Sequence, residues 1–377
     1  MTAPVDPWIK EGLDSLTLEN RLREVRAVER VGAMSVRLAG RTVRLFSSND
    51  YLGLSAHPEV RRAAAEAAST HGMGPRGASL ICGHTPLHDA LESALASLKG
   101  TEAALLFPTG YQANVGLLSA IADEETTIFS DALNHASIID GCRLSRAQVV
   151  VFEHNHVADL AEKLSACQSR RRVVVNEEIF SMDGDAAPLR EIAQLKEEQG
   201  FTWVTDSAHS TLVYGPNGGG VAEHVGVTNL IDYQVGTMSK ALGTQGGFVA
   251  TSAAQRAWLL NNARSFIFST ALAVPLVAAA IAAIDAARDG VLKARLWAHV
   301  ERLGRALGRE LEGPIVPVIV GSEAKALARA AQLLNAGIHA PAIRPPTVPP
   351  NTCRIRITLS AAHSEEDLDS LIAAVRS

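Results

Sequence analysis

The alternation of short β-prone runs with helical-period stretches, from about residue 100 onward, constrains the fold of this 377-residue chain more than any other feature. The β-prone runs are "TTIFSD", "QVVVFEH", "RRVVVNEE", "FTWVTDS" and "YQVGTM", and they alternate with helical stretches such as "VADLAEKLSAC" and "LREIAQLKEEQG". This pattern predicts βαβ units and a mostly parallel sheet covered by helices on both faces. Ligands of such sheets bind beyond the carboxyl ends of the strands, so the residues that follow each strand are candidate functional residues.

The chain divides by sequence character into three regions. Residues 1–42 are predicted to form an N-terminal helical segment, whose helix carries the arginines Arg21, Arg23, Arg26 and Arg30. Residues 43–272 hold the alternating pattern and are predicted to form the large domain. Residues 273–377 begin with Ala-rich helices and continue with "PIVPVIVG", "RIRITLS" and a last helix opened by a capping box at Ser364. This last region is predicted to be a smaller α+β domain.

Composition excludes several classes of protein. The net charge of −5 gives no general affinity for nucleic acid or for an anionic membrane. The four cysteines form no C-x-x-C pair, which argues against a zinc site or a disulfide framework and favours a reducing compartment. The longest apolar run, "ALAVPLVAAAIAAI", contains Pro275 and is shorter than the ~18 residues expected of a spanning helix. The N-terminus has no apolar signal core. We therefore expect a cytoplasmic protein without a membrane span.

Polar residues follow three of the predicted strands. His135 follows "TTIFSD", Asp206 and His209 follow "FTWV", and Lys240 follows "YQVGTM" among small residues. Desolvation near a buried strand lowers a lysine pKa and favours the neutral amine, which condenses with a carbonyl to form a Schiff base. Each residue also has a structural explanation when taken alone. Asp206 can cap the next segment, and His135 can be a hydrogen-bonded histidine of the domain.

The set as a whole matches the requirements of pyridoxal 5′-phosphate. A lysine holds the aldehyde of this cofactor, and an aspartate beside the ring nitrogen keeps that nitrogen protonated, so that the ring accepts carbanion charge. The loop "FPTGYQANVG" adds an anion site, because Thr109 and Gly110 lead into a predicted helix whose first N–H groups can bind a phosphate.

From about Leu13 to the C-terminus, the chain resembles the α-oxoamine synthases, which are fold-type I pyridoxal-phosphate enzymes. The resemblance is carried by "SNDYLGLSAHP", "GMGPRGASLICGHTPLH", "PTGYQAN", "DALNHASIIDG", "FSMDGD", "NGGGVAE", "GTMSKALG", "RSFIFSTA" and "AIRPPTVPPNTCRIRITLSAAH". It implies an α/β fold-type I transferase, with a mostly parallel sheet in the large domain and a smaller C-terminal α+β domain. It also implies a homodimer with the active site at the subunit interface.

The resemblance assigns a role at the cofactor ring to five residues. Lys240 is the imine lysine, Asp206 is the partner of the ring nitrogen, and His135 is the imidazole that stacks on the ring. These three are the candidate catalytic residues. His209 and Ser181 are expected to contact the ring hydroxyl.

Four further residues are implied around the cofactor phosphate. Gly110 and Tyr111 are expected to approach the phosphate through their backbone, and Thr237 is expected to add a hydroxyl group. Thr270, in "FSTA", is expected to reach the phosphate bound by the neighbouring subunit.

The stretch "IRPPTVP" is associated with the branch of the family that makes 8-amino-7-oxononanoate in biotin biosynthesis. This branch condenses L-alanine with a pimeloyl thioester and releases CO₂ and a free thiol. Asn49 and Arg356 are then expected to hold the amino-acid carboxylate, and Arg23 is a candidate for the acid end of the acyl substrate, because the arginine fork binds both oxygens of a carboxylate. The acyl carrier, pimeloyl-CoA or a pimeloyl carrier protein, is left open by the sequence.

Three other functions are compatible with the sequence. The chain can be another synthase of this family, using glycine or serine with a different acyl-CoA, or an aminotransferase on the same fold. It can also be a non-catalytic partner subunit, although a scaffold needs no imine lysine. Four residues depart from the usual pattern of the family, namely Asn176, Glu178, Ser207 and Ser210. They bring the efficiency of the enzyme into question but leave Asp206, His209 and Lys240 in place.

Overall fold

The computed structural model describes residues 6–376, which divide into two compact units. The sheet unit consists of Asn49–Ser181 and Asp185–Arg295, and the described part of the terminal unit consists of residues 6–48, 182–184 and 296–376. The sequence places a boundary at residues 272/273, whereas the sheet unit continues to Arg295. The physical reason is the apolar helix Val274–Ala287, which packs against the helices Pro58–His71 and Pro86–Lys99 of the same unit.

The helices and strands alternate through the sheet unit as the sequence predicts. The helices are α1 (Pro7–Leu18), α2 (Pro58–His71), α3 (Pro86–Lys99), α4 (Gly110–Ile121), α5 (Ala136–Leu144), α6 (Val157–Ala166), α7 (Leu189–Gln199), α8 (Val221–Val225), α9 (Ala253–Asn262), α10 (Arg264–Ile267), α11 (Val274–Ala287), α12 (Val291–Leu307), α13 (Glu323–Asn335) and α14 (Glu365–Arg376). The strands are β1 (Val28–Arg30), β2 (Ser35–Leu38), β3 (Arg41–Leu45), β4 (Ala103–Phe107), β5 (Thr126–Asp131), β6 (Gln148–Phe152), β7 (Arg171–Glu177), β8 (Thr202–Asp206), β9 (Tyr233–Thr237), β10 (Gly247–Thr251), β11 (Ile315–Gly321), β12 (Ile338–His339), β13 (Ala342–Ile343) and β14 (Cys353–Thr358).

The sheet unit is built on a seven-stranded sheet of order β4-β10-β9-β8-β7-β5-β6. Strands β5 to β9 pair in parallel, and only β10 runs antiparallel to its neighbours β4 and β9. The mostly parallel sheet predicted from the sequence is therefore confirmed. Strands β5, β8 and β9 are almost entirely buried, because helices cover both faces, which explains their near-continuous apolar runs.

The register of the parallel strands brings their polar ends to one edge of the sheet. Glu177, the last residue of β7, pairs with Asp206, the last residue of β8. Asp206 in turn pairs with Val235 of β9, which ends at Thr237. Asp131 ends β5 at the same edge. The candidate residues that follow these strands are thus gathered by the topology of the sheet.

The terminal unit contains two small sheets, of order β1-β2-β3-β12 and β11-β14-β13. The N-terminal helix does not carry the arginines expected from the sequence, because α1 ends at Leu18. Asn20 then takes a left-handed conformation with φ 56°, and Val28–Arg30 pairs with β2. The prediction of a helix through Arg30 was wrong. Arginine favours helices locally, but residues 21–27 form no helix or strand and Arg30 pairs in β1.

Among residues 6–376, no helix combines the length and apolar character needed to cross a membrane.

Candidate active site

Asp206 lies at the end of β8, where it is buried and held by two hydrogen bonds. Its Oδ2 accepts a hydrogen bond of 2.6 Å from Nδ2 of Asn114, and its Oδ1 accepts one of 2.9 Å from the backbone N–H of Ala208. Asn114 also donates to the hydroxyl of Ser137, at 3.0 Å. These bonds fix the carboxylate in one orientation at the strand end.

His209 follows Asp206 by three residues and is equally buried. Its Nδ1 lies 2.5 Å from the hydroxyl oxygen of Tyr51, whose side chain is completely buried. The Tyr51 hydroxyl also lies 3.4 Å from Oδ1 of Asn49. The stretch "SNDYLGL" therefore orients His209 through Tyr51. We call Asp206, Asn114, His209 and Tyr51 the Asp206 end of the site.

His135 and Lys240 lie within electrostatic reach of each other and of Asp206. His135 caps the N-terminus of α5, where its Nδ1 accepts a hydrogen bond of 3.2 Å from the backbone N–H of Ser137. Desolvation of the ring lowers the pKa of His135; the Asp206 carboxylate opposes this shift, and the Lys240 ammonium adds to it. Lys240 is half-buried and lies just after β9, as predicted. The three candidate catalytic residues thus come together at one edge of the sheet.

Glu177 is a buried acid of this edge that we did not single out from the sequence as a site residue. Burial, together with the neighbouring Asp206 carboxylate, raises the pKa of Glu177 well above its usual value, against the opposing effect of Lys240. Its Oε1 has no hydrogen-bond partner among the residues that the structure describes. Two carboxyl groups at neighbouring strand ends do not readily ionise together, so the protonated form of Glu177 is favoured.

A second part of the site, the α4 end, consists of Thr109, Gly110, Tyr111 and Thr237. Thr109 caps α4 by accepting a hydrogen bond of 3.1 Å from the backbone N–H of Gln112. A Cβ atom on Gly110 would lie 3.1 Å from Cβ of Thr237, so the first turn of α4 lies directly against the end of β9. The N–H groups of a first helical turn have no intrahelical acceptor and attract anions.

Helix α4 also connects the two ends of the site. Gly110 begins the helix, and Asn114, one turn later, binds the Asp206 carboxylate. A buried carboxylate for a cationic ring nitrogen, an anion site at a helix N-terminus and a nearby lysine are what pyridoxal phosphate requires. The residues present therefore fit this cofactor.

The remaining predicted residues of the sheet unit occupy more peripheral positions. Ser181 is half-buried, four residues after the end of β7, and Asn49 is also half-buried. Tyr111 is exposed and its hydroxyl donates to Asp140. Thr270 is exposed and forms an isolated antiparallel bridge with Ala78.

Arg356 and Arg23 belong to the terminal unit and are described within it. Arg356 is buried in β14, where it donates a hydrogen bond of 3.0 Å to the hydroxyl of Thr358. Arg23 is exposed and donates to the backbone oxygen of Pro345 at 3.2 Å, next to the proline-rich stretch near the C-terminus.

The four departures from the family pattern are all buried, and two of them contact each other. Oγ of Ser210 donates to Oε2 of Glu178 at 2.5 Å. Asn176 accepts a hydrogen bond of 2.8 Å from the indole N–H of Trp203, and Ser207 donates to the backbone oxygen of Val235 at 2.7 Å. None of these hydroxyl or amide groups is an isolated polar group in the core.

The sequence interpretation missed the residues that support the candidate side chains. Asn114 and Tyr51 lie in the stretches "PTGYQAN" and "SNDYLGL", but only the folded chain brings them to Asp206 and His209. The position of Asn114 could have been predicted from the sequence, because it follows Gly110 by one helical turn and so shares a face with the start of α4. No local pattern predicts the contact of Tyr51 with His209.

Comparison with known proteins identifies the family of the chain. Residues 41–375 match the model of the family "Aminotransferase class I and II". The chain is 48% identical over 352 residues to an 8-amino-7-oxononanoate synthase of Arabidopsis thaliana, covering 88% of this chain and 74% of the relative. It is 46% identical over 376 residues to the synthase of Anaeromyxobacter dehalogenans strain 2CP-1, and the match covers 98% of this chain and 94% of the relative.

Among solved structures, a serine palmitoyltransferase variant of S. paucimobilis with a bound PLP–myriocin aldimine superposes with a TM-score of 0.92. It is 30% identical to this chain, and the match covers 98% of this chain and 96% of that one. An 8-amino-7-oxononanoate synthase of Francisella tularensis has the same fold, with a TM-score of 0.74 and 24% identity over 89% of this chain and 97% of that one.

The fold and the site together define a fold-type I pyridoxal-phosphate-dependent transferase, so the fold class and the cofactor predicted from the sequence are confirmed. Within this class, the chain belongs to the family of 8-amino-7-oxononanoate synthases, which are enzymes of the acyltransferase type.

Proposed function

We propose that this enzyme condenses L-alanine with a pimeloyl thioester, releasing CO₂ and a free thiol, to give 8-amino-7-oxononanoate. The observation that carries this proposal is the meeting of Lys240, His135 and Asp206 at the edge of the sheet, in a chain that is 46% identical to synthases of that name over nearly its whole length.

The residues of the Asp206 end, together with His135 and Ser181, have distinct roles around the cofactor ring in the proposal. Bound pyridoxal phosphate supplies an electron sink for the α-carbon of the amino acid. Asp206, fixed by Asn114 and by the N–H of Ala208, keeps the ring nitrogen protonated through its negative charge. His135, whose pKa is lowered, covers the ring face as a neutral imidazole. His209, oriented by Tyr51, contacts the ring hydroxyl together with Ser181.

Lys240 has two roles in the proposal. Its Nζ would hold the cofactor covalently, and as a free amine it would accept the α-proton of alanine. The half-buried position of Lys240, just after β9, suits both roles because it places the amine beside His135 at the edge of the sheet.

The α4 end binds the phosphate group. The backbone of Gly110 and Tyr111 offers N–H groups at the start of a twelve-residue helix, and Thr237 adds a hydroxyl against the same turn. Asn49 and Arg356 bind the carboxylate of the amino acid, and Arg23 binds the acid end of the pimeloyl group.

The enzyme works as a homodimer in which Thr270 reaches the phosphate of the neighbouring subunit. Exposed apolar side chains support this part of the proposal, because Ile81 and Phe268 lie close in sequence to Ala78 and Thr270, which pair in a bridge. Ile81 is 81% exposed and Phe268 is 71% exposed. Exposed apolar groups that lie together on one surface typically mark a protein interface.

The test is thiol and CO₂ release across a matrix of glycine, L-alanine and L-serine with acetyl, succinyl, pimeloyl and palmitoyl thioesters. We expect the highest kcat/KM for L-alanine with the pimeloyl thioester. Glycine should react more slowly rather than be rejected, since a methyl pocket discriminates by only ~1–3 kcal/mol. Preference for serine with palmitoyl-CoA, or for glycine with acetyl- or succinyl-CoA, would assign the chain to another branch. Amino transfer without thiol release would make it an aminotransferase.

A further inference from the structure

The residues between β8 and α8, 207–220, form a largely buried segment that carries His209, and we call it the His209 segment. Only Pro216 and Asn217 of this segment are exposed. Its start is tied to β9, because the N–H of Ser207 donates to the backbone oxygen of Val235 at 2.7 Å. The N–H of Ser210 donates to the backbone oxygen of Ser207 at 3.1 Å, which closes a turn around His209.

Glu178, the residue after β7, contacts both ends of the His209 segment. Its side chain is completely buried. Oε2 accepts a hydrogen bond of 2.5 Å from the hydroxyl of Ser210 and one of 2.8 Å from the backbone N–H of Val221. Oε1 accepts a longer bond of 3.4 Å from the hydroxyl of Thr205. Ser210 directly follows His209, and Val221 directly follows the segment, so one carboxylate joins its two ends.

Lys99 and Gly220 complete this arrangement. Nζ of Lys99, on α3, donates to the backbone oxygen of Gly219 at 2.6 Å. Burial lowers the pKa of Lys99 to about 8, and the Glu178 carboxylate opposes this shift. A Cβ atom on Gly220 would lie 2.6 Å from Oε2 of Glu178 and 2.9 Å from Oγ of Ser210. Glycine is therefore required where the backbone passes over the carboxylate.

We propose that Glu178 is a positioning residue of the active site, which keeps His209 in place by binding Ser210 and Val221. The proposal rests on the proposed function, in which His209 contacts the cofactor. A buried hydroxyl needs a partner, and Glu178 supplies one to Ser210. The two departures from the family pattern at positions 178 and 210 thus act as a pair, and Ser210 does not impair the site.

The test compares four variants of the full chain: Glu178→Gln, Ser210→Ala, the double variant, and Glu92→Gln as a matched control. Glu92 is also a buried glutamate of the sheet unit with two hydrogen bonds, from the N–H of Leu106 at 3.1 Å and from Arg256 at 2.5 Å. It contacts no residue of the His209 segment through these bonds. Both glutamine variants should lose thermal stability, because each places an amide N–H₂ where a carboxylate oxygen accepted.

Three readouts separate positioning from stability. They are the hydrogen exchange of residues 207–221 without cofactor, the dissociation constant of pyridoxal phosphate, and the pH titration of the visible absorbance of the bound cofactor. We expect Glu178→Gln to speed exchange in 207–221 and to weaken cofactor binding by about tenfold each, since a lost hydrogen bond to a charged group typically has effects of this size. It should also shift the titration and lower kcat more than it changes KM for alanine. Glu92→Gln should leave all of these unchanged.

Ser210→Ala should move the same readouts in the same direction by a smaller factor. In the Glu178→Gln background it should add almost nothing, because the two side chains act through one contact. The proposal is overturned if Glu178→Gln changes only stability, as Glu92→Gln does, or if the two effects add. If Glu178→Gln does not fold, the proposal is overturned when Ser210→Ala changes neither the exchange of residues 207–221 nor the binding and titration of the cofactor. A last outcome combines faster exchange in Glu178→Gln with a wild type that shows no alanine-dependent thiol release. This outcome would refute the proposed function and uphold the role of Glu178 in holding the segment.

Discussion

The α4 end of the site is built mainly from backbone, whereas the Asp206 end is built from buried side chains that hydrogen-bond to one another. At the α4 end, Gly110 and the first turn of α4 lie against Thr237, and the main requirement is the absence of a larger side chain at position 110. At the Asp206 end, the carboxylate is bound by Asn114, and His209 is bound by Tyr51. We propose that the α4 end supplies affinity for the cofactor phosphate, whereas the Asp206 end controls the reactivity of the ring and adds to affinity through His209. Substitutions at the two ends should therefore differ in how far they lower kcat at saturating cofactor.

The largest effect is expected for Lys240→Ala, which removes both the covalent attachment of the cofactor and the base for the α-proton. The loss of kcat should exceed the 10²–10⁴-fold typical of removing a general base alone. Thermal unfolding should change little, because the side chain is only half-buried. Turnover close to that of the wild type would show that the active-site assignment is wrong.

Asp206→Asn should reduce kcat by about 10²–10³-fold, the range found when one preorganised electrostatic partner of the reacting group is removed. Asparagine fills the same space but carries no charge to hold the ring nitrogen protonated. Cofactor binding should persist. The matched control is Asn114→Ala, which leaves the charge but frees Oδ2 of the carboxylate, and its effect on kcat should be smaller. Equal effects in the two variants would contradict the role of the charge.

Gly110→Ala probes the other end of the site. The added Cβ would lie 3.1 Å from Cβ of Thr237, so the first turn of α4 or the threonine must shift. We expect the dissociation constant of pyridoxal phosphate to rise by about tenfold, a typical result of mild overpacking, while kcat at saturating cofactor stays within about twofold. A fall in kcat with unchanged affinity would remove the distinction between the two ends.

The smallest effect concerns stability and lies outside both ends. His154 is bound by Asp131 at 2.9 Å and by Asp185 at 2.8 Å. Burial alone would lower the pKa of His154, but hydrogen bonds and charge from the two aspartates raise it to about 10. A raised pKa stabilises the folded state fully below the unfolded value of about 6.5, and the contribution is lost as pH rises through the folded value.

The free energy of unfolding of wild type minus that of His154→Gln should therefore fall between pH 6.5 and pH 10, by roughly 1–3 kcal/mol. Urea unfolding at a series of pH values measures it, in the absence of cofactor. His84→Gln is the control, because His84 is near the surface and binds one aspartate, Asp89. A difference that stays constant over this pH range would show that His154 does not bind its proton more tightly in the folded protein.

The two ends also differ in how far the sequence could predict them. Strand ends and the start of α4 follow from local patterns, since apolar runs, turn residues and helix caps lie within a few residues of each other. Asn114, Tyr51 and Glu178 act through partners between 32 and 158 positions away, which only the folded chain brings together. The error in the N-terminal region has a different cause, because Arg30 pairs in a local hairpin of β1 with β2 and the other three arginines lie outside any helix or strand.

The attachment of the cofactor to Lys240 can be located by chemical reduction. The purified protein, loaded with pyridoxal phosphate, is reduced with borohydride, digested and analysed by mass spectrometry. We expect the visible absorbance to disappear and the added cofactor mass to be found on the peptide containing Lys240. Lys99 is the natural internal comparison, because it is fully buried and its pKa is lowered to about 8. Cofactor mass on Lys99 or another lysine, with none on Lys240, would show that Lys240 is not the imine lysine.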